Sequence, residues 1–68
     1  MNIEKNEKLR IARLLAHLSQ DELSVQTGID QSKISKIERG YIRPSAEECR
    51  KLAEVLNQKE RLLFDAED

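Results

Sequence analysis

The chain has 68 residues, 37% of them charged, and a formal net charge of −1, so its total charge does not indicate a polyanionic partner. One Phe, one Tyr and no Trp disfavour the core of a β-sandwich and suit a small domain of short amphipathic helices. A single cysteine and a single histidine exclude an internal disulfide and a zinc-binding cluster of these residues.

Apolar residues at helical spacing predict a first helix from about Ile3 to His17. This helix is apolar on more than one side, because a second group of apolar residues follows i, i+3 and i+4 spacing. We call this group the helix-1 patch: Ile11, Leu14 and Leu15. Two interpretations are open, since either the last helix folds back over the patch or the patch is a protein interface.

Capping residues mark the next two helices. Ser19 followed by Glu22 is a capping box that starts a second helix, and Gly28 ends it. Asp30 is the N-cap of a third helix, which stops at Gly40. Its inward residues are Ile34 and Ile37. Two short helices joined by so tight a turn predict a helix-turn-helix at about residues 19–40.

A fourth helix is predicted after a loop at residues 41–44. Ser45 with Glu48 is a second capping box that opens this helix, and Asn57 breaks it. Its inward positions are Cys49, Leu52, Ala53 and Leu56. The thiol of Cys49 is therefore expected to be buried and unreactive.

A short fifth helix completes the chain and contains Leu62, Leu63 and Phe64. The acidic end, residues 65–68, is expected to fray. No segment alternates with the two-residue period of a strand, so the expected fold is all-α, with one domain spanning residues 1–68.

Positive charge is concentrated in residues 31–43, where four basic residues stand against the single acidic Glu38. The four are Lys33, Lys36, Arg39 and Arg43. This stretch is the candidate for facing phosphate, although the same charges would also simply solubilise a surface helix and loop.

From Leu18 onward the chain reads LSQDELSVQTGIDQSKISKIERGYIRPS. With its flanks, over residues 9–64, this string resembles the Cro/C1-type (XRE-like, phage repressor-like) helix-turn-helix DNA-binding family. The matches at fixed offsets are Leu18-Ser19-Gln20, Glu22-Leu23, Gly28-Ile29, Ile34-Ser35, Ile37-Glu38-Arg39-Gly40 and Pro44-Ser45. The resemblance implies a compact five-helix bundle in which helix 3, residues 31–39, is the recognition helix.

The resemblance assigns the base-reading positions to one face of helix 3: Gln31, Ser32 and Lys36. A glutamine amide can bond adenine in a bidentate manner, lysine favours the guanine O6 and N7 atoms, and serine is permissive. Lys33 projects to one side and is expected to reach a base or a phosphate. The alternative for Gln31 is a polar residue that merely starts the helix.

The resemblance also implies contacts that orient the protein without reading sequence. Gln20 matches the family position that contacts backbone phosphate, assisted by helix-end amides near Ser19. Further phosphate contacts are expected from Arg43, Arg39 and Tyr41.

Two structural roles follow from the same resemblance. Arg13 and Glu38 match a pair of positions that form an internal salt bridge between helices 1 and 3, so losing one partner should cost stability first. The family dimerises through its C-terminal segments, and the candidate dimer residues are therefore Leu62, Leu63 and Phe64.

Together these features predict a sequence-specific, double-stranded DNA-binding transcriptional regulator that acts as a homodimer on a palindromic operator. So short a chain favours a repressor or autoregulator. The alternative is a protein-interaction module that uses the helix-1 patch for a regulatory protein partner.

Other classes of protein fit the sequence poorly. An enzyme is disfavoured, because a nucleophile with a base at recognisable spacing and a glycine-rich phosphate loop are lacking. The chain also lacks an apolar run of about 18 residues and a signal peptide. A cytoplasmic protein with no metal, cofactor or membrane partner is expected.

Overall fold

The computed structural model of the chain describes residues 6–64, which fold into five α-helices around one apolar core. The helices are α1 Glu7–Leu15, α2 Gln20–Thr27, α3 Gln31–Glu38, α4 Ala46–Leu56 and α5 Glu60–Phe64. No strand occurs in this part of the chain, so the prediction of an all-α, five-helix fold is confirmed. None of the helices described is long and apolar enough to cross a membrane.

The capping boxes predicted for α2 and α4 are both present. Ser19 Oγ accepts the Glu22 N–H at 3.0 Å, and the Glu22 carboxylate accepts the Ser19 N–H at 2.8 Å. Ser45 and Glu48 repeat the arrangement at 3.1 and 2.9 Å. Both helices end as expected, at residues with left-handed backbone. Local chemistry over three or four residues is therefore sufficient to place these boundaries.

Helix α1 ends at Leu15, two residues before the predicted end at His17, and the predicted start near Ile3 lies outside the described residues. His17 adopts a left-handed backbone with φ of 60°. Its N–H donates to the Leu14 carbonyl at 2.9 Å, and the Leu18 N–H donates to the Arg13 carbonyl at 3.1 Å. This is a Schellman motif, which reverses the chain and returns Leu18 to the core.

The core contains apolar residues from every helix and from the turn between α2 and α3. Its members are Leu9, Leu23, Ile29, Ile34, Ile37, Leu52, Ala53, Leu56 and Leu63. The inward positions predicted for α3 and α4 are confirmed except for Cys49, which is only half-buried. Burial raises the pKa of the Cys49 thiol, and the carboxylates of Glu60 and Glu48 raise it further. A thiol with a raised pKa forms less thiolate and is less reactive.

Of the two interpretations of the helix-1 patch, the one in which α5 covers it is wrong. Ile11 and Leu14 remain 49% and 48% exposed, and Leu15 is 73% exposed. Helix α5 does pack on α1, but α1 presents the side that contains Leu9 to the core. At 100° per residue, Ile11 lies about 200° from Leu9, so the patch faces away from α5.

Replacing His17 with glycine should stabilise the fold. A residue other than glycine pays about 1–2 kcal/mol of strain in the left-handed region. Glycine avoids this strain, but it loses more conformational entropy on folding, which offsets part of the gain. We expect a net gain of about 0.5–1 kcal/mol in the free energy of unfolding, measured with urea. Asn57→Gly is the matched control, since asparagine tolerates this backbone better and the gain should be smaller. A loss of stability in His17→Gly would contradict the prediction.

Candidate nucleic-acid interface

The turn between α2 and α3 is fixed by two side-chain hydroxyls. Thr27 Oγ1 donates to the Leu23 carbonyl at 2.8 Å and accepts the Ile29 N–H at 3.2 Å. Ser24 Oγ donates to the Ile29 carbonyl at 2.5 Å. Both backbone groups of the buried Ile29 are thereby satisfied, which sets the angle between the helices. These hydroxyls were not identified from the sequence. The presence of Ser and Thr within five residues of a turn could have indicated them, because such side chains form local hydrogen bonds with the backbone.

A buried ion pair joins α1 to α3, as the family resemblance implied. Arg13 Nε donates to Glu38 Oε2 at 2.7 Å, and Arg13 Nη2 donates to Glu38 Oε1 at 3.1 Å. The two side chains are only 9% and 4% exposed. Arg13 Nη1 donates to the Leu18 carbonyl at 3.0 Å, and the Asn6 N–H donates to the Glu38 carbonyl at 3.0 Å. The end of α3 is therefore fixed to both ends of α1.

A chain of hydrogen bonds leads outward from this ion pair to the start of α3. Gln20 Nε2 donates to Glu38 Oε1 at 3.0 Å, and Gln31 Nε2 donates to Gln20 Oε1 at 2.8 Å. Gln20 is half-buried and Gln31 is exposed. Sequence reasoning placed both residues at the interface but did not find the link between them, because their contacts join different helices.

The outward face of α3 brings together three of the predicted base-reading residues. Gln31, Ser32 and Lys36 are exposed and fall within about 140° of the helix circumference. Ser32 Oγ donates to the Asp30 carboxylate at 2.7 Å. Asp30 is at the N-cap position of α3, but its side chain accepts this hydroxyl and not a backbone N–H of the helix. Arg39, just after α3, continues the same face and is exposed. This surface is polar and exposed to solvent.

Lys33 does not belong to this face. Its Nζ donates to Glu48 Oε2 at 2.7 Å, and the residue is half-buried. The ion pair joins α3 to the capping box at the start of α4. In this structure Lys33 links two helices, and its predicted contact with a base or a phosphate stays a prediction. The hydrogen bond from Lys33, followed by that from the Ser45 N–H, lowers the pKa of Glu48 below its ordinary 4.5.

The remaining predicted contact residues lie at the edges of the α3 face. Ser19 is exposed at the start of α2, and Tyr41 and Arg43 are exposed in the loop after α3. The Tyr41 N–H donates to the Lys36 carbonyl at 2.9 Å, which fixes the start of this loop. Polar groups thus flank the α3 face on the side of α2 and on the side of the loop.

Comparison with known proteins gives two findings. A family model described as helix-turn-helix matches residues 9–63. The crystal structure of the restriction-modification controller protein C.AhdI from Aeromonas hydrophila superimposes with a TM-score of 0.81 at 36% sequence identity. The match covers 87% of this chain and 89% of that protein. No curated protein sequence matches the chain.

The Lys33–Glu48 pair should make stability depend on pH in the acid range. Because the folded pKa of Glu48 is lowered, its contribution is present above the unfolded pKa and is lost as pH falls through the folded pKa. Lys33→Met should cost under about 1 kcal/mol at pH 7, since the lysine is partly exposed. The variant should also lose less stability than the wild type as pH falls below about 4.5.

Urea unfolding at several pH values measures this difference. Lys51→Met is the matched control, because Lys51 pairs with Glu47 at 3.8 Å on an exposed helix surface. It should keep the acid dependence of the wild type, and an identical acid dependence in Lys33→Met would contradict the assignment.

Proposed function

Because the chain belongs to the helix-turn-helix family of DNA-binding transcriptional regulators, we propose that it binds a palindromic operator as a homodimer, with α3 in the major groove. The observation that carries this proposal is the exposed polar face of α3 on a helix fixed by a buried ion pair. One such helix reads only a few base pairs, so two-fold symmetry supplies the remaining specificity.

In this proposal the α3 face reads bases directly. The Gln31 amide bonds adenine, and the Lys36 ammonium bonds guanine O6 and N7. The Ser32 hydroxyl tolerates either base. Lys36 is exposed and forms none of the ion pairs found among the described residues, so its charge is available to DNA. The geometry supports these roles because all three side chains are exposed on one side of the helix.

The edges of the face contact phosphate. Ser19 lies at the N-terminus of α2, where free backbone N–H groups attract an anion. Gln20 Nε2 gives one hydrogen to Glu38 and keeps the other for phosphate. Arg43, Arg39 and Tyr41 contact the backbone beyond α3. Because the chain has a net charge of −1, its attraction to DNA depends on this local concentration of positive charge.

We further propose that the protein is a repressor or autoregulator that acts in the cytoplasm without cofactor or catalysis. Its similarity to a controller protein over most of both chains supports a regulatory role. DNA recognition of this kind uses the side chains and helix ends already described and requires no metal or reactive group.

The candidate dimer surface is narrower than the sequence suggested. Leu63 is 2% exposed and belongs to the core, and the half-buried Phe64 packs against it, so neither residue is free to form the seam. Leu62 is 53% exposed and borders an open groove between α4 and α5. Apart from Leu62 and Ala53, the residues that line this groove are polar or charged: Arg50, Glu54, Asn57, Gln58, Lys59 and Glu60. We place the dimer seam at Leu62 and this groove. The exposed helix-1 patch supports the alternative function, docking of a protein partner.

Selection of duplexes from a random DNA pool, followed by titration at two salt concentrations, tests DNA recognition. We expect an enriched palindrome and a steep loss of affinity with salt, because phosphate contacts release counterions. Gln31→Ala and Lys36→Ala should each cost roughly 1–3 kcal/mol on the specific site and relax base preference. Arg43→Ala should weaken all sequences about equally.

Equal losses on specific and random DNA for all three variants would contradict this division of roles. Binding that is weak, featureless and insensitive to salt would instead favour the protein-interaction function.

Sedimentation of Leu62→Glu tests the dimer seam. A charge at an apolar contact is costly to bury, so this variant should be monomeric and should lose affinity for the full palindrome more than for a half-site. Leu15→Glu in the helix-1 patch is the matched control and should remain dimeric. Dissociation of the control rather than Leu62→Glu would place the seam on α1.

A further inference from the structure

Each link of the hydrogen-bond chain from Glu38 through Gln20 to Gln31 has a donor and an acceptor. Only Glu38 can determine which residue donates, because an amide can do either and a carboxylate cannot. Glu38 Oε1 accepts from Arg13 Nη2 at 3.1 Å and from Gln20 Nε2 at 3.0 Å. As the carboxylate of an ion pair, Glu38 accepts hydrogen bonds and donates none. Gln20 must therefore turn its NH₂ group inward, which leaves its carbonyl oxygen for the next residue.

The same constraint passes to Gln31. Because the Gln20 carbonyl oxygen is the atom that faces Gln31, Gln31 must direct its NH₂ group toward Gln20, at 2.8 Å. The Gln31 amide then has its carbonyl oxygen and one N–H left for the groove. An acceptor beside a donor complements the N6 amine and N7 atom of adenine. An amide free to turn would also offer two N–H groups to guanine O6 and N7.

We propose that Glu38 is a positioning residue that sets base preference, because it fixes the orientation of the Gln31 amide through Gln20. The inference rests on the proposed function, in which Gln31 reads a base. Burial makes the inner end of the chain insensitive to water, since the Glu38 side chain is 4% exposed. The buried ion pair thus acts on specificity as well as on stability.

Glu38→Gln tests the direction of the chain. A glutamine at this position gives its carbonyl oxygen to Arg13 and its NH₂ group to Gln20, which reverses both following amides. Gln31 then presents two N–H groups, and the preferred base at its position should change from adenine to guanine. Affinity should fall for every sequence, because Arg13 Nη2 loses its acceptor, so the ratio between the two bases is the readout.

Gln20→Met interrupts the chain while leaving the ion pair intact, and it keeps the test valid if Glu38→Gln fails to fold. The wild type should prefer adenine by about fivefold or more, and Gln20→Met should reduce the ratio to about twofold or less. Leu56→Ala is the control for lost stability, because Leu56 is 5% exposed on α4 and outside the chain. It should keep the adenine preference.

The measurement is titration of each variant with the selected duplex and with its adenine-to-guanine counterpart at the Gln31 position. Reversal in a folded Glu38→Gln, or, where that variant does not fold, loss of preference in Gln20→Met with Leu56→Ala unchanged, supports the inference. An adenine preference that survives in a folded Glu38→Gln overturns it. A wild-type adenine preference that survives in Gln20→Met overturns it and leaves the proposed function standing. A wild type that enriches no sequence overturns the proposed function itself.

Discussion

The structure depends on the buried ion pair between Arg13 and Glu38. Removing two charges from water is costly, and the bidentate geometry with a third bond to the Leu18 carbonyl offsets that cost. Loss of one partner leaves an unpaired buried charge, which costs about 3–5 kcal/mol. In a chain of 68 residues this is a large part of the total stability. The pair therefore couples the position of α3 to the integrity of the fold.

Two further interactions complete the placement of α3. The hydroxyls of Ser24 and Thr27 fix the turn that precedes it, and the pair of Lys33 with Glu48 joins its side to α4. All of these contacts lie on the inner side or at the ends of the helix. Among the described residues, the outer face has side-chain partners only at its start, where Gln31 bonds Gln20 and Ser32 bonds Asp30, so the proposed contact with DNA requires no rearrangement of the helix. Such preorganisation reduces the entropy lost on binding.

Three parts of the surface differ in position and represent two kinds of chemistry, one polar and two apolar. The α3 face is polar and borders the basic loop that contains Arg43. The helix-1 patch and the exposed Leu62 are apolar and lie on other helices. Apolar side chains at these exposures favour contacts with protein, whereas the α3 face favours contacts with nucleic acid. One small domain therefore presents a polar face and two apolar surfaces on different helices.

The sequence alone determined the helices and most of the core. Capping boxes at Ser19 and Ser45 are local, and the spacing of Ile34 and Ile37 defines an inward face without reference to other helices. The pattern of the helix-turn-helix family also indicated the ion pair. Only the tertiary structure decided the partners of Lys33 and Gln20 and the exposure of the helix-1 patch. Periodicity identifies a helix face, but the helix that packs on it depends on contacts between residues far apart in the chain.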